Sequence, residues 1–144
     1  VGFTEIDGLN LGHIAVADYR PLNSSVTRKL VDTVTFGMVT FRKGYDKSGR
    51  LENWHLKVLN AMVGGDPAAL LSLRRAIVIR LFDRVKAPND RGWALIGALP
   101  VDYRMGKLDA MSGKVLVEEV VFEVHSIIAD HKLDTQPHLD LLAM

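Results

Sequence analysis

Trp93–Ser126, WALIGALPVDYRMGKLDAMSGKVLVEEVVFEVHS, carries the most explicit pairing instruction in the chain. Two β-rich runs, Trp93–Tyr103 and Lys114–Val124, flank a segment with Gly106, Asp109, Ser112 and Gly113, which reads as two strands joined by a long turn. Leu116, Val120, Phe122 and Val124 fall on one face of the second run and Val115, Val117 and Val121 on the other. A strand apolar on both faces needs cover on both, from its own core plus a helix or from its own core plus another subunit. Val121 and Phe122 are therefore expected at or beside a subunit contact. Glu118 and Glu119 interrupt the run, and two carboxylates are not buried cheaply without partners, so one is expected in solvent and the other on an arginine.

Outward from that stretch the chain alternates strands with turn signals. Phe3–Ile6 alternates, Asp7-Gly8 turns, and Leu9–Tyr19 offers a strand with Leu11, Ile14, Val16 and Tyr19 as burial candidates. Arg20–Leu30 (RPLNSSVTRKL) has no period and reads as a loop near the length at which loops become functional. Thr33–Arg42 is rich in β-branched and aromatic residues, with Gly37 as a bulge or close approach. Leu51, Trp54, His55, Val58, Leu59 and Met62 recur at helical spacing and end at Gly64-Gly65, the one amphipathic helix of the reading, with Trp54, Val58 and Met62 toward the sheet. Asp66-Pro67 has the form of a cap for a short second helix over Ala68–Leu73. Ala76–Asp83 is another strand, Lys86–Gly92 a hairpin connection, and the sequence loses its pattern after Ser126, where the tail is either a docking segment or a loose end.

Composition narrows the function classes. The chain has 144 residues, 48% of them apolar, enough for one domain with a sizeable core. Its formal net charge is +1 with cations dispersed, so no polyanion-binding surface stands out. There is no cysteine, which removes disulfides and thiolate chemistry. No apolar run approaches the roughly 20 residues of a membrane span, so no membrane anchor is expected. The first residue, Val1, leaves a processed product or the ordered part of a longer chain open. His125, His131 and His138 match no metal-ligand spacing, Gly106-Lys107 and Gly113-Lys114 lack the context of a phosphate loop, and no serine sits in a nucleophile elbow. Neither catalytic residues, nor a metal, nor a cofactor is expected. The fold class expected is α+β, mainly β: an antiparallel sandwich or barrel with one amphipathic helix, whose outer sheet face is covered by copies of itself.

Four stretches carry a family resemblance: Asp7-Gly8-Leu9 with Asp18-Tyr19-Arg20; Phe36–Gly44; Leu51–Trp54; and Trp93 with Ala98–Val101, Leu108–Ala110 and Val115–Glu118. Together they resemble the tail tube proteins of contractile phages and of extracellular contractile injection systems, similar in fold to the ring protein of type VI secretion. The chain departs from that pattern at turns, with Pro21-Leu22, Val31-Asp32 and Gly113-Lys114 in place of the usual residues, a short first strand, and a longer Gly64–Arg75. The resemblance implies a tube-like domain over residues 1–128 with a C-terminal tail over 129–144. It implies a structural subunit of stacked hexameric rings around a channel for DNA or protein cargo, with sheath and baseplate or spike proteins as partners. The place would be a virion tail, or an injection particle assembled in the cytoplasm with extracellular release as an option. A tube-like baseplate adaptor and a free ring-forming carrier of a secreted effector are the alternatives. Arg20–Leu30 would reach the next ring, which makes Tyr19, Arg20, Asn23, Ser24, Ser25, Arg28 and Lys29 the expected stacking residues.

Overall fold

A computed structural model of the chain describes residues 2–82 and 88–130. Its elements are β1 (Glu5–Asp7), β2 (His13–Tyr19), β3 (Arg28–Thr35), β4 (Val39–Gly44), α1 (Arg50–Val63), α2 (Pro67–Leu73), β5 (Arg75–Phe82), β6 (Pro88–Met105), β7 (Val117–Glu123) and β8 (Ser126–Asp130). The main sheet runs β1-β4-β7-β6-β5, with β8 also on β6, all antiparallel, and it curls into a half-barrel. β2 and β3 form a separate two-stranded sheet.

The expected partnership of the two runs holds over Leu99–Met105 and Glu118–Glu123. The first run is much longer than its apolar stretch suggested. The N-terminal half of β6 pairs with β5 on one side and β8 on the other, and its C-terminal half pairs with β7. Between the halves sits Gly97 at φ +66, where a Cβ would come within 2.5 Å of His125 Nδ1. Glycine alone takes that conformation and that approach without strain, so this point lets one strand serve both parts of the curl. A register shift between Pro100 and Asp102 adds twist just beyond it.

The core lies between this sheet and α1. β4 and β7 alternate cleanly, with Val39, Phe41, Val120 and Phe122 almost wholly buried and Thr40, Arg42, Glu119 and Val121 half-exposed on the opposite face. α1 lays Leu51, Trp54 and Val58 on the buried face. Trp54 meets Phe122 at a tilt with ring centres 5.2 Å apart, Phe122 meets Phe41 in the same way at 5.1 Å, and Phe41 meets Phe3 edge to face at 4.9 Å. Trp54 Nε1 also donates to the Leu73 carbonyl at 2.8 Å, tying α1 to the end of α2. α2 is present as its cap signature implied: the Asp66 carboxylate accepts from the Ala68 and Ala69 N–H groups, with Pro67 in the first turn. Among the described residues the fold has two helices, the amphipathic α1 and this short second one. Ahead of α1, the Asp46 carboxylate accepts from Ser48 Oγ (2.6 Å) and Ser48 N (3.0 Å), shaping the turn that enters the helix.

Several expectations are corrected. Thr33–Arg42 is not one strand, because β3 ends at Thr35 in the small sheet and β4 begins at Val39 in the large one. Leu11, Ile14, Val16 and Tyr19 are not core residues but are about half exposed or more, since Ile14, Val16 and Tyr19 lie in β2 on the small sheet and Leu11 precedes that strand. Met62 is 60% exposed: the buried arc of α1 ends with Val58, and the last turn runs past the sheet. Order continues beyond Ser126 as β8, because Ile127 fills the core against β6. The hairpin connection expected at Lys86–Gly92 falls partly outside the described residues, as does the tail after Asp130.

Two expected outcomes follow from this packing. Trp54→Ala removes a core aromatic and the hydrogen bond to Leu73, and is expected to lower unfolding free energy by about 3–5 kcal/mol in urea titration. The Ser48 hydrogen bonds, its side chain first, hold the Asp46 carboxyl down from 3.8 to about 2. With the folded value depressed, this contribution is complete above the ordinary carboxylate range and is lost as pH falls through about 2. Carboxyl NMR titration is expected to place Asp46 there, and Ser48→Ala to move it up toward the ordinary range.

Candidate assembly interface

Among the described residues the β2–β3 arm gathers several exposed apolar side chains, Ile14, Val16, Leu30, Val31 and Val34. Tyr19 pairs with Arg28, Asp18 with Lys29, Ala17 with Leu30 and Val16 with Val31, and the register shifts between Ile14 and Val16. Every residue of β3 is exposed, and in β2 only Ala15 is half-buried. Leu30 and Val31, adjacent and so on opposite faces, are 50% and 71% exposed, which leaves apolar side chains open on both sides. A two-stranded ribbon without cover is marginal in water. The arm is therefore a surface built to be covered.

At its tip the connection is held by its own polar groups. Arg20 Nε donates to the Ser24 carbonyl at 3.0 Å, Ser24 N to Pro21 O, and Val26 N to Ser24 Oγ at 3.1 Å. The expected loop shortens to residues 20–27, because Arg28, Lys29 and Leu30 belong to β3. Tyr19, Arg20, Asn23, Ser24, Ser25, Arg28 and Lys29 are brought together here, with Ser24 half-buried and the rest exposed. Leu22, at 96% exposure, stands among them.

Val121 and Phe122 lie apart from this group, in the middle of the large sheet. Val121 is half-buried on the face away from α1, opposite Thr40 and Asp102. Phe122 is fully buried in the subunit's own core, so its side chain offers no surface to a partner, and the contact expected there is corrected to core packing.

The face bearing Val121 is charged and internally paired. Arg42 contacts Glu5 at 2.7 Å and Glu119 at 2.6 Å, and Arg104 contacts Glu119 at 3.9 Å and Asp102 at 2.6 Å. The row crosses β1, β4, β7 and β6, and Glu119, by its hydrogen bond first, and Glu5 hold the Arg42 guanidinium above its ordinary pKa. On the buried face Glu118, 2% exposed, binds Lys43 at 2.8 Å and accepts from the Tyr103 hydroxyl at 2.9 Å. Burial first, and then this bond to Glu118, push the Tyr103 phenol well up. Of the division expected for Glu118 and Glu119, the arginine partner holds, on Glu119, and the solvent position is corrected: Glu118 is buried and served by a lysine. The adjacent carboxylates signalled the need for partners, but Lys43 lies 75 positions away and no local pattern connects the two. His55 sits half-buried with Nδ1 3.3 Å from the Pro100 carbonyl, stacked near Tyr103 at 6.3 Å. Among the described residues no group of three or more His, Asp or Glu is placed to hold a metal ion, and no helix is long and apolar enough to cross a membrane.

Residues 1–127 match the family of the T4-like virus tail tube protein gp19. The chain belongs to that family. The tail tube protein also shares its fold with chains of solved assemblies. A chain of the PVC sheath-tube complex, an extracellular contractile injection system in the extended state, superposes with TM-score 0.70 at 19% identity, over 90% of this chain and 81% of that one. A chain of the anti-feeding prophage baseplate gives TM-score 0.65 at 23% identity, over 90% and 80%. A chain of the anti-feeding prophage tube-terminating cap gives 0.68 at 18%, over 90% and 80%. No curated protein matches in sequence. As a tail tube protein, the chain has its place in the tail of a phage or a phage-like injection particle.

The buried pair supplies a test of the sheet. Lys43→Met strands the Glu118 carboxylate and is expected to cost about 3–5 kcal/mol of unfolding free energy, while Lys43→Met/Glu118→Leu recovers most of that loss in the same denaturant titration.

Proposed function

We propose that the tail tube protein builds the wall of an inner tail tube, in which the half-barrels of six copies close into a ring around a channel and the rings stack. The observation that carries this reading is the arm: a ribbon apolar on both faces, outside its own core, in a chain of the tail tube family. Ring closure would cover the open edges of the curled sheet, which otherwise template aggregation. Stacking is assigned to the arm tip, with Tyr19, Arg20, Asn23, Ser24, Ser25, Arg28 and Lys29 against the adjacent ring. The basic side chains would meet acidic groups there, fixing register and salt sensitivity more than affinity. Val121, on the face away from α1, is assigned to the contact between neighbours in one ring. The role is mechanical, with no catalytic step and no cofactor: a sheath around the tube drives it forward, and DNA or protein passes along the channel.

A baseplate adaptor joining tube to spike is the second reading, favoured by the likeness to a chain of the anti-feeding prophage baseplate. Negative-stain microscopy of the purified protein separates the two, since a wall subunit gives tubes of many rings and an adaptor gives single rings. Replacing Leu22–Thr27 by two glycines is expected to leave circular dichroism and single rings intact and to abolish tubes. Tubes of normal length from that variant at physiological salt would move stacking to another part of the chain, with the long Gly64–Arg75 segment the next candidate.

A further inference from the structure

Between the N-terminal half of α1 and the sheet the molecule holds a cleft of about 460 Å³. Phe41, Trp54 and Phe122 line it but are almost wholly buried, so the apolar surface it offers comes from the half-buried Phe3 and Val78. Its borders include Phe3, just ahead of β1, and Ile77 and Val78 of β5. β1 and β5 are the two ends of the strand order, and among the described residues each is paired on one side only. The cleft is thus the unclosed seam of the half-barrel, bordered by strand edges whose backbone groups have no ladder partner.

Its charge is one-sided. Four cations line it, Lys43, Arg50, Lys57 and Arg75, against one carboxylate, Asp46. Lys43 is already paired with Glu118 and Asp46. Among the described residues Arg50 and Lys57 have no carboxylate partner, and the Arg75 guanidinium lies 5.6 Å from the centre of the Trp54 ring with none either. Arg50 moreover occupies the first turn of α1, where the helix dipole disfavours a cation and no side chain caps the N-terminus. Apolar surface, open strand edges and unpaired cations in one place fit an extended peptide that brings both apolar groups and carboxylates.

We propose that this seam receives an extended, carboxylate-bearing segment of a second copy of this chain, which packs on the half-buried Phe3 and Val78 at its borders and sets its acids against Arg50, Lys57 and Arg75. This rests on the reading that copies of the chain form rings. A second copy fits because a curled sheet with two open ends is completed by another of its kind in a head-to-tail ring. Charge agrees: the whole chain is close to neutral at +1, so cations gathered at the seam leave carboxylates in excess over the rest of its surface.

The test joins amines to carboxylates directly with a carbodiimide in assembled wild-type protein, prepared from mixed light and ¹⁵N-labelled subunits so that bonds between copies are told from bonds within one. Mass spectrometry is expected to find Lys57 joined to an Asp or Glu of a different copy. Arg50→Glu/Lys57→Glu is expected to lose rings and tubes with its circular dichroism unchanged, because a carboxylate in the first turn of α1 suits the isolated subunit. Lys57 joined only within its own copy, Lys57 joined to another protein of the particle, or wild-type amounts of tubes from the double variant each overturn the inference. Wild-type protein that forms neither rings nor tubes overturns the tube-wall reading and this inference with it.

Discussion

Phe122 sits where every layer of the molecule meets. It is fully buried on β7, the strand between β4 and β6, and its ring touches Phe41 on one side and Trp54 of α1 on the other. Burying aromatic surface of this size is worth a few kcal/mol per side chain, a large part of the margin of a domain this small. The alternation that turns Phe122 inward also sets which face of β7 is left for charge. A one-residue slip would put Phe122 in water and Glu119 in the core, so the aromatic contact and the register enforce each other.

That constraint explains how β7 tolerates two carboxylates in a row. Neighbouring residues on a strand point to opposite faces, so Glu118 and Glu119 never share an environment. Glu119 joins the row of ion pairs on the wet face, where each contact is worth little and the gain is mutual order among four strands. Glu118 faces the core, where a charge without a partner is expensive, and it finds both a lysine and a phenol. Lys43 and Arg42 are adjacent on β4 and divide between the two faces in the same way, so one register satisfies both pairs.

The parts of the fold legible in the sequence are those whose cause is local. The pairing of β6 with β7, the start of α1 and its Leu51–Trp54–Val58 stripe, and the cap of α2 each follow from periodicity or from residue type at a turn. What could not be read depends on where an element lands. Leu11, Ile14, Val16 and Tyr19 have the composition of core residues, and only the assignment of β2 to a separate ribbon exposes them. Met62 keeps the helical period but overruns the sheet. β8 is only five residues long, and its neighbour was set by the length of β6, which no turn signal marked. In the candidate site, the polar tip of the arm was legible because it lacks period and its residues are close in sequence. The cationic seam was not, because Lys43, Arg50, Lys57 and Arg75 are gathered from two strands and a helix across more than thirty positions.

The division between a well-packed centre and uncovered apolar edges is itself informative. In one copy the chain keeps Phe41, Leu95, Val120 and Phe122 dry, yet leaves Leu22, Val31, Val63, Leu71, Leu108, Met111 and Val115 in water at 71% exposure or more. A protein that acted alone would gain nothing from such surfaces and would risk aggregation through them. They lie on the arm, on the long turn between β6 and β7 and on the helices (Val63 at the end of α1, Leu71 in α2), not in the main sheet, which keeps the half-barrel foldable before any partner arrives. The subunit can then form first on its aromatic core, and the free energy still to be gained from apolar burial is held for contacts between copies. In the proposed tube, that ordering would put the strongest remaining gain at the joints between copies.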